Sequence, residues 1–420
     1  MTQHDPQGSS YDSSQNMDNV ALDALVESLS RWHREQAVDT TGTPGVPEVL
    51  DRRLTACLDA LGEVMQGDED QLRLKALGGW LRESLERLTP QLQARSQRAL
   101  PRSWAKDHGS LRLVDETRVL LAHAIDRPPG QPDIDGLQDP AEDVASLLVG
   151  LEMADRQELA RVALDGYLGH SGDYHMARLL ALYRVLASLR GAWMALCQDA
   201  IEDPDEVPPS AWMVEHLGAA RRYLSLAEGH AEFRFPPLVI GVGVSGSGKS
   251  RFTRTLVGGL GAVRLESQSE RCRIHEGYPQ PDNSKKAEDK YGAQVTDDTY
   301  RRLAQCTGWL LDGGFPVCVD STCLTRVQRR QLWQQAESRG LPVLLVSFEA
   351  DEATLRRRIG KRATRNGITK AESLAVLEAQ QAAFEPFDDE ERLHLVRLDT
   401  TADNAAETLA ALIQENVRFS

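Results

Sequence analysis

Leu238-Val-Ile-Gly-Val-Gly-Val-Ser-Gly-Ser-Gly-Lys-Ser250 decides the fold of the second half of this 420-residue chain. Leu238 to Val244 is an apolar, β-branched run, the composition of a strand buried on both faces. Gly243 to Ser250 then satisfies G-x-x-x-x-G-K-[ST]. Phe252, Leu256 and Leu260 follow at helical spacing, so the motif joins a buried strand to an amphipathic helix. Glycines allow the backbone to curl its N–H groups around phosphate oxygens, and the helix N-terminus adds partial positive charge. The pattern therefore predicts a phosphate cradle made by Gly243, Ser245, Gly246, Ser247, Gly248, Lys249, Ser250 and Arg251. Lys249 is expected to reach the terminal phosphates of ATP or another nucleoside triphosphate, with the Ser250 hydroxyl on Mg²⁺. A chance Gly/Ser linker is the alternative, and both flanks speak against it.

Working outward, similar short apolar runs recur at Pro316 to Val319, Leu341 to Phe348 and Leu393 to Leu398, separated by helical patterns. Continuous strands alternating with helices predict an α/β P-loop NTPase fold, a parallel sheet with helices on both faces, over residues 236–420. Asp320 follows the strand of Pro316 to Val319. An acid at the tip of a strand beside the P-loop is placed to hold the metal, although a turn cap with Ser321 and Thr322 is the plainer reading. Arg356, Arg357, Arg358, Lys361, Arg362 and Arg365 form a basic cluster in which Arg358, Arg362 and Arg365 share one helical face. It suits a lid whose guanidinium groups clamp transferring phosphates, or else a solvated helix face.

The first half has a different alphabet. Residues 1–20 are polar and are expected to lack structure. Residues 21–230 read as mainly helical, with a Gly/Pro break at Thr41 to Pro47 and a helix from Gln71 to Leu88 stopped near Pro90. Pro101 to Asp139 is irregular, and helices follow at Ala141 to Met153, Arg156 to Leu168, Tyr174 to Leu196 and Ala211 to Ala227. The formal net charge of -15 argues against broad binding to nucleic acid or anionic membrane. No run approaches the ~18 apolar residues of a membrane span, and no signal-peptide pattern opens the chain, so a cytoplasmic location is expected. The six cysteines include no C-x-x-C pair and read as free thiols. Composition says nothing of oligomeric state.

With these motifs in place, residues 238–400 resemble the AAA_33-type P-loop kinases related to polynucleotide kinase and zeta toxin. The matching stretches are Gly243 to Ser250, Gly261-Ala-Val-Arg-Leu265, Tyr300-Arg-Arg-Leu303, Val317-Cys-Val-Asp-Ser-Thr322, Leu355 to Arg362 and Leu377-Glu-Ala-Gln-Gln-Ala-Ala-Phe-Glu-Pro386, in the family's order. The resemblance implies phosphoryl transfer from ATP to a hydroxyl of a small molecule or a polynucleotide end, with Lys249, Asp320, Arg358 and Arg362 as catalytic groups. One departure matters. After the second strand the family carries an Asp that serves as base toward the acceptor, and Gln268 falls on that position. Glutamine orients a hydroxyl but takes no proton. Glu266 or Glu270 could substitute, though neither is at the matching position. An ATP-dependent switch with weak ATPase activity and no acceptor is the alternative. The segment Ile274 to Thr299, with Tyr278, Asp282, Lys285, Lys286 and Tyr291, is where an acceptor site should form, or is a surface insertion.

Residues 100–200 are similar to the C-terminal lobe of aminoglycoside phosphotransferases, through Asp139 to Glu152, Gly166-Tyr-Leu-Gly-His-Ser-Gly-Asp-Tyr174 and Leu179 to Arg184 with Arg190. The chemistry implied by that lobe is missing. Its His-Gly-Asp motif reads His108-Gly109-Ser110, its metal-binding Asp falls on His123 or Ala122, and its metal-binding Asn is lost in a shortening near Val114. The region is expected to be a degenerate helical domain for scaffolding or recognition.

Overall fold

The computed structural model describes residues 10–36, 46–96, 111–112, 118–119, 139–197, 210–276, 292–366 and 369–418. They fall into two compact units, Met1–Ser171 with Met176–Phe233, and Gly172–His175 with Arg234–Ser420.

The described residues of the first unit are mainly helical. Its helices are α1 (Ser10–Glu35), α2 (Val46–Val64), α3 (Asp68–Ser96), α4 (Pro140–Met153), α5 (Gln157–Ser171), α6 (Ala177–Cys197) and α7 (Ser210–Ala231). Two antiparallel fragments, β1 (Leu111–Arg112) and β2 (Arg118–Val119), lie between α3 and α4. Two expectations need correcting. Helix α1 starts at Ser10, inside the stretch read as unstructured. Helix α3 runs through Pro90 instead of stopping there. Proline removes one internal hydrogen bond, but Leu88 and Leu92 on either side are buried and hold the helix on the core. His108, Ser110, Val114, Ala122 and His123 lie outside the described residues.

Three acids at the start of α4 tie this unit together. Asp139 caps the helix by accepting from Ala141 N–H at 2.9 Å and pairs with Arg95 of α3. Glu142 is buried between Arg53 of α2 and Arg190 of α6. Burial pushes its carboxyl up, but the two guanidinium charges outweigh that and hold it below the usual carboxylate range. Asp143 meets His33 of α1 at 3.1 Å, and His33 Nδ1 meets the Tyr167 hydroxyl of α5 at 2.7 Å. The stretch that carried the phosphotransferase likeness thus places these carboxylates in buried ion pairs with arginines and a buried hydrogen bond with His33. Among the described residues, one helix, Tyr174–Cys197, is apolar and long enough to cross a membrane by composition, against the reading of the sequence; 67% of its most apolar 18-residue window is buried inside the protein, as expected of a core helix.

In the second unit the described strands are β3 (Leu238–Val242), β4 (Val263–Glu266), β5 (Val317–Asp320), β6 (Val343–Glu349) and β7 (Leu395–Asp399). They form one parallel sheet in the order β4-β5-β3-β6-β7. The helices are α8 (Lys249–Leu260), α9 (Ser267–Glu276), α10 (Ala293–Asp312), α11 (Arg326–Glu337), α12 (Glu352–Asn366), α13 (Lys370–Ala382), α14 (Asp389–Leu393) and α15 (Ala405–Arg418). Every residue of β3 is buried, as its unbroken apolar run demands. On one face Val239, Cys318, Val346 and Phe348 pack against Phe252 and Leu256 of α8 and Leu409 and Ile413 of α15. Helices α10 and α11 approach the sheet elsewhere, α10 along β4 and β5, α11 along β3 and β6. Central β3 sends its chain toward β4 and β5, while β6 and β7 lie on its other side. The crevice outside the carboxyl ends of such strands is where α/β sheets bind ligands.

Candidate functional site

The loop from Gly243 to Gly248 leaves β3 and opens α8 at Lys249. Its glycines are forced. Gly248 has φ 99°, and Gly246 has φ 82° with a Cβ position only 2.9 Å from Ile359 Cγ1 of α12. A side chain at either position would meet backbone strain, and at Gly246 a clash as well. Loop shape is also set from inside: Gly243 N–H donates to Thr322 O at 3.0 Å and Ser247 N–H to Val244 O at 3.2 Å.

Lys249 is buried, and its Nζ donates to Gly243 O at 2.6 Å and Val244 O at 3.0 Å. Burial pushes its ammonium down to about 8; the Asp320 carboxylate opposes this and the Arg362 charge adds to it. Arg362 itself is exposed. Ser250 and Arg251 are exposed on the first turn of α8, Arg251 with its guanidinium 5.4 Å from the Phe252 ring.

Asp320 is the last residue of β5 and is buried. Its Oδ2 accepts from Thr253 Oγ1 and from Arg264 Nη1, each at 3.3 Å. Glu266, the last residue of β4, is in register with Asp320 and lies 3.8 Å from the same Arg264 nitrogen. The turn after Asp320 is held by Tyr300 of α10. Its hydroxyl meets Ser321 Oγ at 2.8 Å and accepts from Cys323 N–H at 3.0 Å, where the backbone is left-handed (φ 47°). Burial raises the Tyr300 phenol, so it serves there as a neutral hydrogen-bonding group.

The structure sorts the remaining predicted residues. Gln268 is exposed on α9, and its Nε2 lies 3.9 Å from Cys272 Sγ. Glu270 is fully buried and paired with Arg273 and Arg302. Such a carboxylate is committed to its cations and is poorly placed to take a proton from a ligand. Arg358 and Arg362 share a helix but not a role. Arg358 donates to Gly246 O at 3.2 Å, Thr400 Oγ1 at 2.9 Å and Thr400 O at 3.0 Å, which fastens the P-loop to the segment after β7. Thr400 Oγ1 in turn donates to Ser247 O at 2.7 Å. Arg358 thus braces the loop carbonyl of Gly246 against Thr400 in this structure. Nothing is described of the Arg365 side chain, and Tyr278, Asp282, Lys285, Lys286 and Tyr291 lie outside the described residues. Sequence reasoning missed Arg264, Thr253, Thr400 and Gln380 as neighbours of the site. Arg264 and Gln380 stand inside stretches that carried the family resemblance, which was the one signal available.

Among the described residues no cluster of three His, Cys, Asp or Glu could hold a metal by itself. Mg²⁺ keeps waters and phosphate oxygens and takes only one or two protein ligands. The hard oxygens of Ser250 and Asp320 fit such a site.

A family model described as an AAA domain matches residues 238–387. Those residues hold the buried strand, glycine-rich loop and helix of a P-loop. The domain's boundaries bracket β3 through the segment after α13, so the match takes in the loop, Asp320 and both arginines. No curated protein sequence matches the chain. Solved structures similar to it include a gluconokinase from Sinorhizobium meliloti, 23% identical over 44% of this chain and 98% of that one, with a TM-score of 0.31. A sugar kinase from Janibacter sp. is 21% identical over 44% and 95%, TM-score 0.31. The APS kinase of Mycobacterium tuberculosis, solved with AMPPNP and APS, is 17% identical over 44% and 99%, TM-score 0.33.

Proposed function

We propose that the P-loop kinase-like domain binds ATP with Mg²⁺ and transfers the γ-phosphoryl group to a hydroxyl of a small molecule or polynucleotide end. The observation that carries this reading is the convergence of Lys249, exposed Ser250 and Asp320 about one glycine-rich loop at the carboxyl edge of the sheet. Lys249 and the loop amides would hold the phosphates, and Arg362 would meet charge developing on the transferred group. Ser250 and Asp320 would hold Mg²⁺, whose chemistry there is to neutralise phosphate charge. Glu266 takes the place of the acid missing at Gln268. It ends the strand beside Asp320 and shares Arg264 with it. In transfer the acceptor hydroxyl gives its proton to Glu266, its oxygen bonds to the γ-phosphorus, and ADP leaves.

The switch reading keeps one observation in its favour: Gln268 cannot act as a base, and Glu270 is locked between arginines. In that reading the helical unit, with its acids in ion pairs, responds to nucleotide and no acceptor is used. Labelled ATP incubated with nucleosides, sugars and RNA ends separates the two. Transfer by the wild type that Glu266→Gln abolishes supports the kinase with its substituted base. Transfer only by Gln268→Asp supports the switch. Transfer that survives Glu266→Gln, Glu270→Gln and Gln268→Asp alike refutes this placement of the acceptor.

A further inference from the structure

The P-loop is touched by a side chain from well outside it. Ser245 N–H donates to Gln380 Oε1 at 2.7 Å, across a sequence separation of 135 residues. Gln380 lies on α13 and is half-buried. The helix is seated firmly enough to aim it. Leu377 forms an apolar cluster with Leu355 and Ile359 of α12, and Val244 of the loop packs against that cluster. On the outer side Gln381 Nε2 donates to Glu352 at 2.8 Å, and Arg356 bridges Glu352 and Glu378. Helix α13 is therefore linked to the loop by a polar contact at Ser245 and by sharing an apolar cluster against which Val244 packs.

A backbone N–H carries a single proton and serves one good acceptor at a time. The amides of a glycine-rich loop are the groups that receive phosphate oxygens. Gln380 Oε1 and a phosphate oxygen thus ask for the same donor. We propose that Gln380 is an affinity-setting residue of the nucleotide site: its amide oxygen competes with phosphate for Ser245 N–H, and nucleotide binding expels it and loosens α13. This rests on the nucleotide-binding reading and adds to it a coupling between phosphate occupancy and one helix. The exchange runs toward nucleotide because a hydrogen bond to an anionic oxygen is about twice as strong as one to a neutral amide. The cost of expelling Gln380 lowers apparent affinity by the worth of one net hydrogen bond, roughly two- to tenfold.

The test is calorimetric titration of the full chain with a non-hydrolysable ATP analogue and Mg²⁺, for wild type, Gln380→Ala and Gln380→Glu. Gln380→Ala should bind roughly two- to tenfold tighter. Gln380→Glu should bind more weakly, since its carboxylate keeps the bond to Ser245 N–H and repels phosphate. Hydrogen exchange should show faster uptake in α13 when nucleotide is added to wild type, and fast uptake from the outset in Gln380→Ala. If both variants bind more weakly and nucleotide protects α13, Gln380 is a ligand of the nucleotide and the proposal is wrong. Unchanged affinity in both also overturns it while leaving the nucleotide site standing. Failure of all three proteins to bind nucleotide overturns the P-loop reading itself, and the inference with it.

Discussion

Removing the guanidinium of Arg329 should loosen the whole region between Asp320 and the end of α13. Arg329 is fully buried on α11. Its Nε and Nη2 hold the Glu391 carboxylate at 2.5 and 3.0 Å. Nη1 donates to Leu324 O at 3.0 Å and Cys323 O at 3.3 Å, in the turn after β5, and Nη2 to Glu385 O at 3.2 Å, in the segment leaving α13. The Phe387 ring lies 4.9 Å from the guanidinium carbon. Arg329→Met keeps most of the volume but strands a buried carboxylate and these carbonyls. Breaking one side of a buried pair costs about 3–5 kcal/mol, a large part of the ~5–15 kcal/mol that holds a domain folded. Arg329→Met with Glu391→Leu removes the stranded charge and should recover a good part of the loss. Arg329→Lys should fall between, because one ammonium cannot reproduce the fork. Hydrogen exchange on peptides covering β5 and α11, read as opening free energies, measures these three and Glu391→Leu alone. A loss under about 1 kcal/mol in Arg329→Met, or a double variant as damaged as the sum of the singles, would refute the account of Arg329 and Glu391 as a coupled buried pair.

Nucleotide affinity should fall as pH rises through about 8, because Lys249, which burial brings down from 10.5 to about 8, loses the charge that phosphate needs. The dissociation constant should approach a tenfold rise per pH unit above that point. Stability of the nucleotide-free protein should move oppositely. Between about 8 and 10.5 the unfolded chain holds the proton that the folded Lys249 has lost, so stability rises with pH across that window. A flat affinity profile from pH 7 to 9.5 refutes the assignment of Lys249. Arg358→Ala should weaken nucleotide binding and turnover together, since Arg358 braces the loop carbonyls, whereas Arg362→Ala should lower turnover with little change in affinity; equal losses in the two variants, followed by steady-state kinetics and titration, argue against this division.

Much of the P-loop unit was legible because its signals are contiguous. The strand, the loop and the helix of residues 238–260 lie in one stretch, and each depends on local backbone preferences and periodicity. The runs that became β5, β6 and β7 were visible for the same reason. Strand β4 made no apolar run and was reached only through the family resemblance, because Val263 and Leu265 are buried while Arg264 and Glu266 are only half so. Pro90 misled because a proline's local cost was outweighed by burial of the leucines around it.

The sequence by itself determined that a phosphate-binding loop is present, that Lys249 and Ser250 stand at its end, and that Asp320 caps a strand. Those are statements about residues within one element, and chain chemistry over a few positions settles them. Only the tertiary structure decided what each side chain meets. Arg358 and Arg362 share a helical face, yet one is bonded to the loop and the other is exposed. Glu270 and Gln268 are two residues apart on α9, yet one is buried between arginines. The pairings Arg264 with Asp320, Gln380 with Ser245 and Arg329 with Glu391 span 56, 135 and 62 positions. No periodicity encodes such distances, because they follow from the order in which the strands assemble into the sheet and from how the helices then pack around it.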